Sequence, residues 1–153
     1  MTAPIFKQSL IGAVILVSLA FGAWYFMAPP DAEQAQLPGR IEGTTMFPSE
    51  VIPAFQICAE STTTQGVEYC VDTLEYASDL RFSIPVPAGT YYVYATLRDA
   101  GSIGSDLGGY KAYYTQAVVC GLAYGCTDHT KLEVVVGSEE TVTGVLPHDW
   151  YIR

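Results

Sequence analysis

The sequence predicts an all-β fold, an antiparallel seven-stranded β-sandwich preceded by one N-terminal transmembrane helix. Three observations predict it. Short apolar runs with period-two alternation recur at regular spacing between residues 40 and 146, Gly- and Pro-containing turn signals separate them, and beyond residue 28 no stretch carries the 3.6-residue period of an amphipathic helix.

From Ser9 to Ala28 no residue is charged, and a helix of that length spans about 30 Å. Residues 1–8 are read as cytoplasmic and 9–28 as an uncleaved signal anchor. Lys7 precedes the run and the acidic residues follow it, which orients the rest outward. Cleavage after Ala23 or Ala28 would place Phe21 or Phe26 where a small residue is needed. Residues 29–39, with Pro29, Pro30, Pro38 and two glutamines, read as an extended linker.

The domain, residues 40–153, opens with a strand at Ile41–Met46, stopped by Phe47-Pro48. Ala54–Glu60 and Val67–Thr73 form a strand pair around the loop Ser61–Gly66. Leu80, Phe82, Ile84 and Val86 alternate with polar residues, Pro87-Ala88-Gly89-Thr90 turns, and Tyr91, Val93, Ala95 and Leu97 return. That segment reads as a β-hairpin with a central second strand. Asp99–Gly109 is a loop, Tyr110–Val119 a strand, Cys120–His129 an irregular connection. Lys131–Val136 and Thr141–Leu146 finish the set around a turn at Gly137–Glu140.

Composition narrows the function. All 16 acidic residues lie at Asp31 or later, facing six basic ones there, a net of −10 for the exported part. Such a surface excludes nucleic acid as a partner and disfavours docking on anionic lipid. The membrane is reached only through the N-terminal helix.

Four cysteines on the outer side of a membrane imply disulfides. Cys58 and Cys70 are equidistant from Thr64, so a simple register sets them opposite each other. Cys120 and Cys126 bracket a five-residue loop. Of the three possible connectivities this local one is expected, each bridge contributing about 2–3 kcal/mol.

No metal or cofactor is expected. Cys120, Cys126 and His129 do not have zinc spacing, and an oxidising compartment disfavours thiolates. Asp99, Asp106, Asp128, Glu139, Glu140 and Asp149 lie in or near predicted loops but lack a calcium-loop pattern, so they read as solvated carboxylates. Catalysis has little support: no serine lies in a Gly-x-Ser-x-Gly elbow. His129 beside Asp128 is either a surface pair or a base with its orienter, and His148 reads as part of a cap on the sandwich edge. Tyr91, Tyr92, Tyr94, Tyr110, Tyr113, Tyr114 and Tyr124 crowd the second half of the chain. Tyr113, Tyr114 and Tyr124 flank loops and are the candidate ligand-binding residues, because tyrosine offers a flat apolar face and a hydroxyl.

Phe82-Ser-Ile-Pro-Val-Pro-Ala-Gly-Thr-Tyr-Tyr-Val-Tyr94 resembles the "F-x-I-x-V-P-A-G-T-Y-x-V" segment of carboxypeptidase-regulatory-like, transthyretin-like domains. Ile41-Glu-Gly43 leading to Pro53 resembles their opening strand, and Val134–Gly137, Val142–Leu146 and Asp149-Trp150 their final hairpin and tail. The likeness covers about residues 40–153. It implies an accessory, binding or assembly module. The enzymatic branch of that group uses histidines, an arginine and a particular C-terminal tetrapeptide. This chain ends Trp150-Tyr-Ile-Arg153, so no catalytic residue is carried across. The expectation is a non-catalytic, membrane-anchored module at the cell surface or in the periplasm. Its partner would be a protein or a second copy of itself; the alternatives are a glycan held by the loop tyrosines and a filament subunit assembled through edge strands.

Overall fold

The computed structural model describes residues 37–50, 52–73, 80–98 and 108–151. The expected anchor and most of the linker lie outside them. Among the described residues no helix is long and apolar enough to cross a membrane.

Among the described residues eight strands form two sheets. In chain order they are β1 (Gly39–Thr44), β2 (Phe55–Ser61), β3 (Glu68–Asp72), β4 (Arg81–Val86), β5 (Gly89–Leu97), β6 (Ala112–Tyr113), β7 (Glu133–Val136) and β8 (Thr141–Val145). One sheet runs β4-β1-β8; the other runs β3-β2-β5-β6, with β7 paired to β5. The fold is therefore all-β, with one strand more than expected. It is not purely antiparallel, because β1 runs parallel to β8.

The alternation in each strand explains the layering. Ile41, Phe55, Ile57, Phe82, Ile84, Val86, Tyr91, Val93, Val134, Val136 and Val145 all point into one shared core. Pro85 removes an amide from the ladder, and β4 is accordingly an edge strand.

The segment from Phe82 to Leu97 is not a hairpin. β4 pairs with β1, whereas β5 pairs with β2, β6 and β7, so the turn at Pro87-Ala88 carries the chain from one sheet to the other. Phe82, Ile84 and Val86 face Tyr91, Val93 and Ala95 across the core instead of standing beside them on one face. The same crossing separates β7 from β8, so Val134–Leu146 is no hairpin either.

Tyr110–Val119 also departs from expectation. Only Ala112–Tyr113 pair with β5, and the chain then forms a one-turn helix, α1 (Gln116–Val119). Thr115 caps its start, its Oγ1 accepting from the Val118 amide at 3.4 Å. Gly121, at φ +96°, ends it: its amide donates to the Val118 carbonyl and that of Leu122 to the Ala117 carbonyl. This pair of bonds is the Schellman closure, which needs a left-handed residue after the C-cap.

After β8 the chain closes one end of the sandwich. Trp150 lies 5.1 Å from Phe47, 5.9 Å from Phe55 and 6.2 Å from Tyr110 between ring centroids. Its Nε1 donates to the Met46 carbonyl at 2.6 Å, and Thr45 Oγ1 donates to the Pro147 carbonyl at 2.9 Å. These bonds satisfy the polar atoms of a strap that would otherwise expose its backbone.

Candidate functional site

Fixing Trp150 fixes its neighbour. Asp149 is buried between α1 and the connection that follows it. Its Oδ2 accepts from Thr115 Oγ1 at 2.6 Å and lies 2.6 Å from His129 Nδ1. A proton carried on Nδ1 would point at that carboxylate. His129 Nε2, Asp149 Oδ1 and His148 Nδ1 are shielded from solvent and have no partner among the described residues. A buried orphan of this kind costs about 1–3 kcal/mol. His129 thus pairs with Asp149, twenty residues away, not with adjacent Asp128, whose Oδ1 accepts from the Thr130 amide at 3.0 Å.

Two hollows meet at His129. A cavity of about 100 Å³ is lined by Lys111, Tyr113, Thr115, Lys131, Asp149 and Tyr151 among others, and His129 borders it. A groove of about 640 Å³ runs between the 122–127 loop, His129 and Tyr151. The loop is stapled by the Cys120–Cys126 disulfide, and Leu122, at φ +52°, helps set its course. Tyr124 projects from it fully exposed, and Tyr151 is 55% exposed.

The other bridge, Cys58–Cys70, joins residues directly opposite each other on β2 and β3. Both pairings are the local ones expected, and among the described residues no cysteine is free. Cys120 and Cys126 are consumed by their bridge and cannot serve as thiolate ligands. Among the described residues the one gathering of three candidate metal ligands is Cys58, Glu68 and Cys70, and its two sulfurs are bonded to each other.

The three candidate tyrosines separate. Tyr124 is open to solvent; Tyr114 packs against the core; Tyr113 lies half-buried on the outer face of the larger sheet. There Lys131 Nζ sits 3.6 Å over the Tyr113 ring and Lys111 Nζ 4.0 Å over the Tyr94 ring. Tyr113 donates to Glu60 Oε2 at 3.0 Å, and burial together with that bond pushes its phenol up to about 12. Asp149, expected from the sequence to be a solvated loop carboxylate, is instead buried, and Tyr151 carried no expectation as a site residue. The only local signal is the Asp149-Trp150-Tyr151 run itself.

The order of bonds limits the chemistry. Thr115 donates to the carboxylate and not to the imidazole, and no hydroxyl is bonded to Nε2 among the described residues. A nucleophile activated by histidine requires the opposite arrangement. What the geometry offers is a stapled aromatic groove beside polar atoms that have no partner among the described residues. Compared with family models, with curated proteins and with solved structures, the chain gives no match.

Proposed function

We propose that this chain is a non-catalytic binding module of the transthyretin-like type, anchored by residues 9–28 on the outer side of a membrane and binding its ligand in the groove between Tyr124, His129 and Tyr151. The observation that carries the reading is the direction of the Thr115–Asp149–His129 bonds. They immobilise the imidazole without giving it a nucleophile to activate, beside a groove whose wall a disulfide holds in place. Preorganisation of that kind favours binding by removing the cost of ordering a loop. The two disulfides support an oxidising compartment, and the family assignment rests on the Phe82–Tyr94 segment.

The test presents the full-length protein, in lipid nanodiscs, to arrays of oligosaccharides and of peptides. Retention on either array by wild type, lost in Tyr124→Ala with unchanged melting, is the expected result. A wild type that binds neither ends the reading.

Self-association is a second reading, favoured by β7. Among the described residues that strand pairs with β5 alone, and it carries Val135, 63% exposed. Sedimentation showing only monomer over a hundredfold range of concentration would count against it.

A further inference from the structure

We infer that Cys58, Cys70 and Glu68 form a redox-gated metal site, closed while the disulfide stands and open to a zinc-class divalent cation once a dithiol has reduced it. One ligand atom from each of the three residues lies within 4.8 Å of the other two. Tetrahedral zinc, with Zn–S of about 2.3 Å and Zn–O of about 2.1 Å, sets its donors about 3.6–3.8 Å apart, inside that span. Two sulfurs and one oxygen suit a borderline-soft ion, and three protein donors leave its fourth position to solvent.

The strands place the donors. Cys58 and Cys70 stand opposite each other on β2 and β3, and Glu68, two residues before Cys70, shares its face. Among the described residues β3 pairs only with β2, so this face is reached from the edge of the sheet. Cys70 and Glu68 are exposed there, whereas Cys58 is wholly buried beside Tyr94, its partner on β5. The second bridge offers no such set. Among the described residues no carboxylate or imidazole comes close enough to Cys120 and Cys126 to complete a third donor.

The accessible sulfur sets the course of reduction. A thiolate of the reductant attacks Cys70 Sγ; the S–S bond breaks and its electron pair leaves on Cys58 Sγ. The second thiolate of the same reductant then attacks the mixed disulfide, which closes the reductant into a disulfide and releases Cys70. The protein gains the two thiols that the reductant loses, and an incoming cation displaces their protons to water. Charge then balances. Lys111 Nζ lies 3.0 Å from Glu68 Oε1, and that hydrogen bond, against partial burial, holds the carboxyl below its usual value. Two thiolates and a carboxylate make three negative charges, which a divalent cation and the Lys111 ammonium cancel.

The experiment takes full-length Cys120→Ala/Cys126→Ala in lipid nanodiscs, reduces it with dithiothreitol, removes the reagent without oxygen and titrates with cadmium. One cadmium per chain should bind, with the ultraviolet charge-transfer band of thiolate ligation, and zinc should displace it. Glu68→Gln should weaken binding about tenfold or more, and Cys70→Ser should remove the band. Unreduced protein should show neither. The same contrast between wild type and Glu68→Gln, in chains keeping all four cysteines, serves if the double variant folds poorly. Two titratable thiols with no band overturn the site. So does a band indifferent to Glu68→Gln, which would leave a bare dithiol. A bridge that resists dithiothreitol in the folded protein, or a reduced chain that loses its far-ultraviolet β signal, counts equally against it, because the gate must open while β2 and β3 stay paired.

Discussion

Asp149 Oδ2 lies 2.6 Å from His129 Nδ1, and so ties the strap that closes the sandwich to the loop that forms the groove. The same oxygen accepts from Thr115 at the start of α1. One buried carboxylate therefore joins three segments, two of which also meet at the Thr115–Lys131 bridge. Asp149→Ala should cost about 3 kcal/mol in urea unfolding, since bonds to a charged acceptor are each worth about 1.5–3 kcal/mol and their donors would be orphaned. Asp149→Asn, which keeps one acceptor oxygen, should cost less. Equal stability of Asp149→Ala and wild type would mean the carboxylate holds nothing.

Cys58 and Cys70 close a longer loop than Cys120 and Cys126, with separations of 12 and 6 residues. Chain-entropy reasoning gives about 3 kcal/mol for the first and about 2 kcal/mol for the second. The double alanine variants should rank in that order by urea midpoint. Only Cys120→Ala/Cys126→Ala should also weaken ligand binding, because only that bridge shapes the Tyr124 loop.

Gly43 sits at the register shift between β1 and β8, and a Cβ there would come 1.7 Å from the Val145 carbonyl oxygen. No side-chain adjustment relieves a clash with backbone. Gly43→Ala should therefore break the parallel pairing, costing more than about 2 kcal/mol. It should also expose Gly43–Thr44 amides to hydrogen exchange. Gly66, with open space around its Cβ position but φ +78°, is the control: Gly66→Ala should cost only about 1 kcal/mol.

Much of this was legible in the sequence, and the failures have a common cause. The side chains that share a face are legible in β4 and β5, because period two fixes them. Period two does not say whether successive strands lie side by side or across the core, so Phe82–Leu97 reads equally as a hairpin and as a crossing. The register of Cys58 with Cys70 was legible because a symmetric loop sets it. α1 was hidden by Val118 and Val119, which favour strands, although Thr115 and Gly121 carry the start and stop signals of a short helix. The Asp149–His129 pair was illegible because tertiary packing of Trp150, not spacing, brings it together.

Burial raises the phenols of Tyr91, Tyr94, Tyr110 and Tyr113 above their usual range, the last to about 12 with Glu60 contributing. Each stays neutral in the fold at a pH where the unfolded chain ionises. The contribution of these phenols to stability should be constant below about pH 10 and fall as pH rises past it. Ultraviolet titration should show tyrosines ionising late, and Glu60→Gln should bring the latest one down. A full complement of phenols titrating near 10 in the folded state would refute this.

His148 sets the acid limit. Burial, partly offset by Asp149, pushes its imidazole below the usual value of about 6.5, and its Nδ1 has no hydrogen-bond partner among the described residues. The unfolded chain therefore takes up a proton that the fold resists. Between the ordinary value and the depressed one the unfolded state binds more protons, so stability rises with pH in that window. The contribution is complete above about pH 6.5 and is lost as pH falls below it. His148→Gln, which cannot titrate, should flatten the dependence of the urea midpoint between about pH 5 and 7. His129→Gln should leave that part of the slope in place, because His148 would still titrate. A slope unchanged in His148→Gln would assign the acid sensitivity to another group and leave the strap indifferent to protonation.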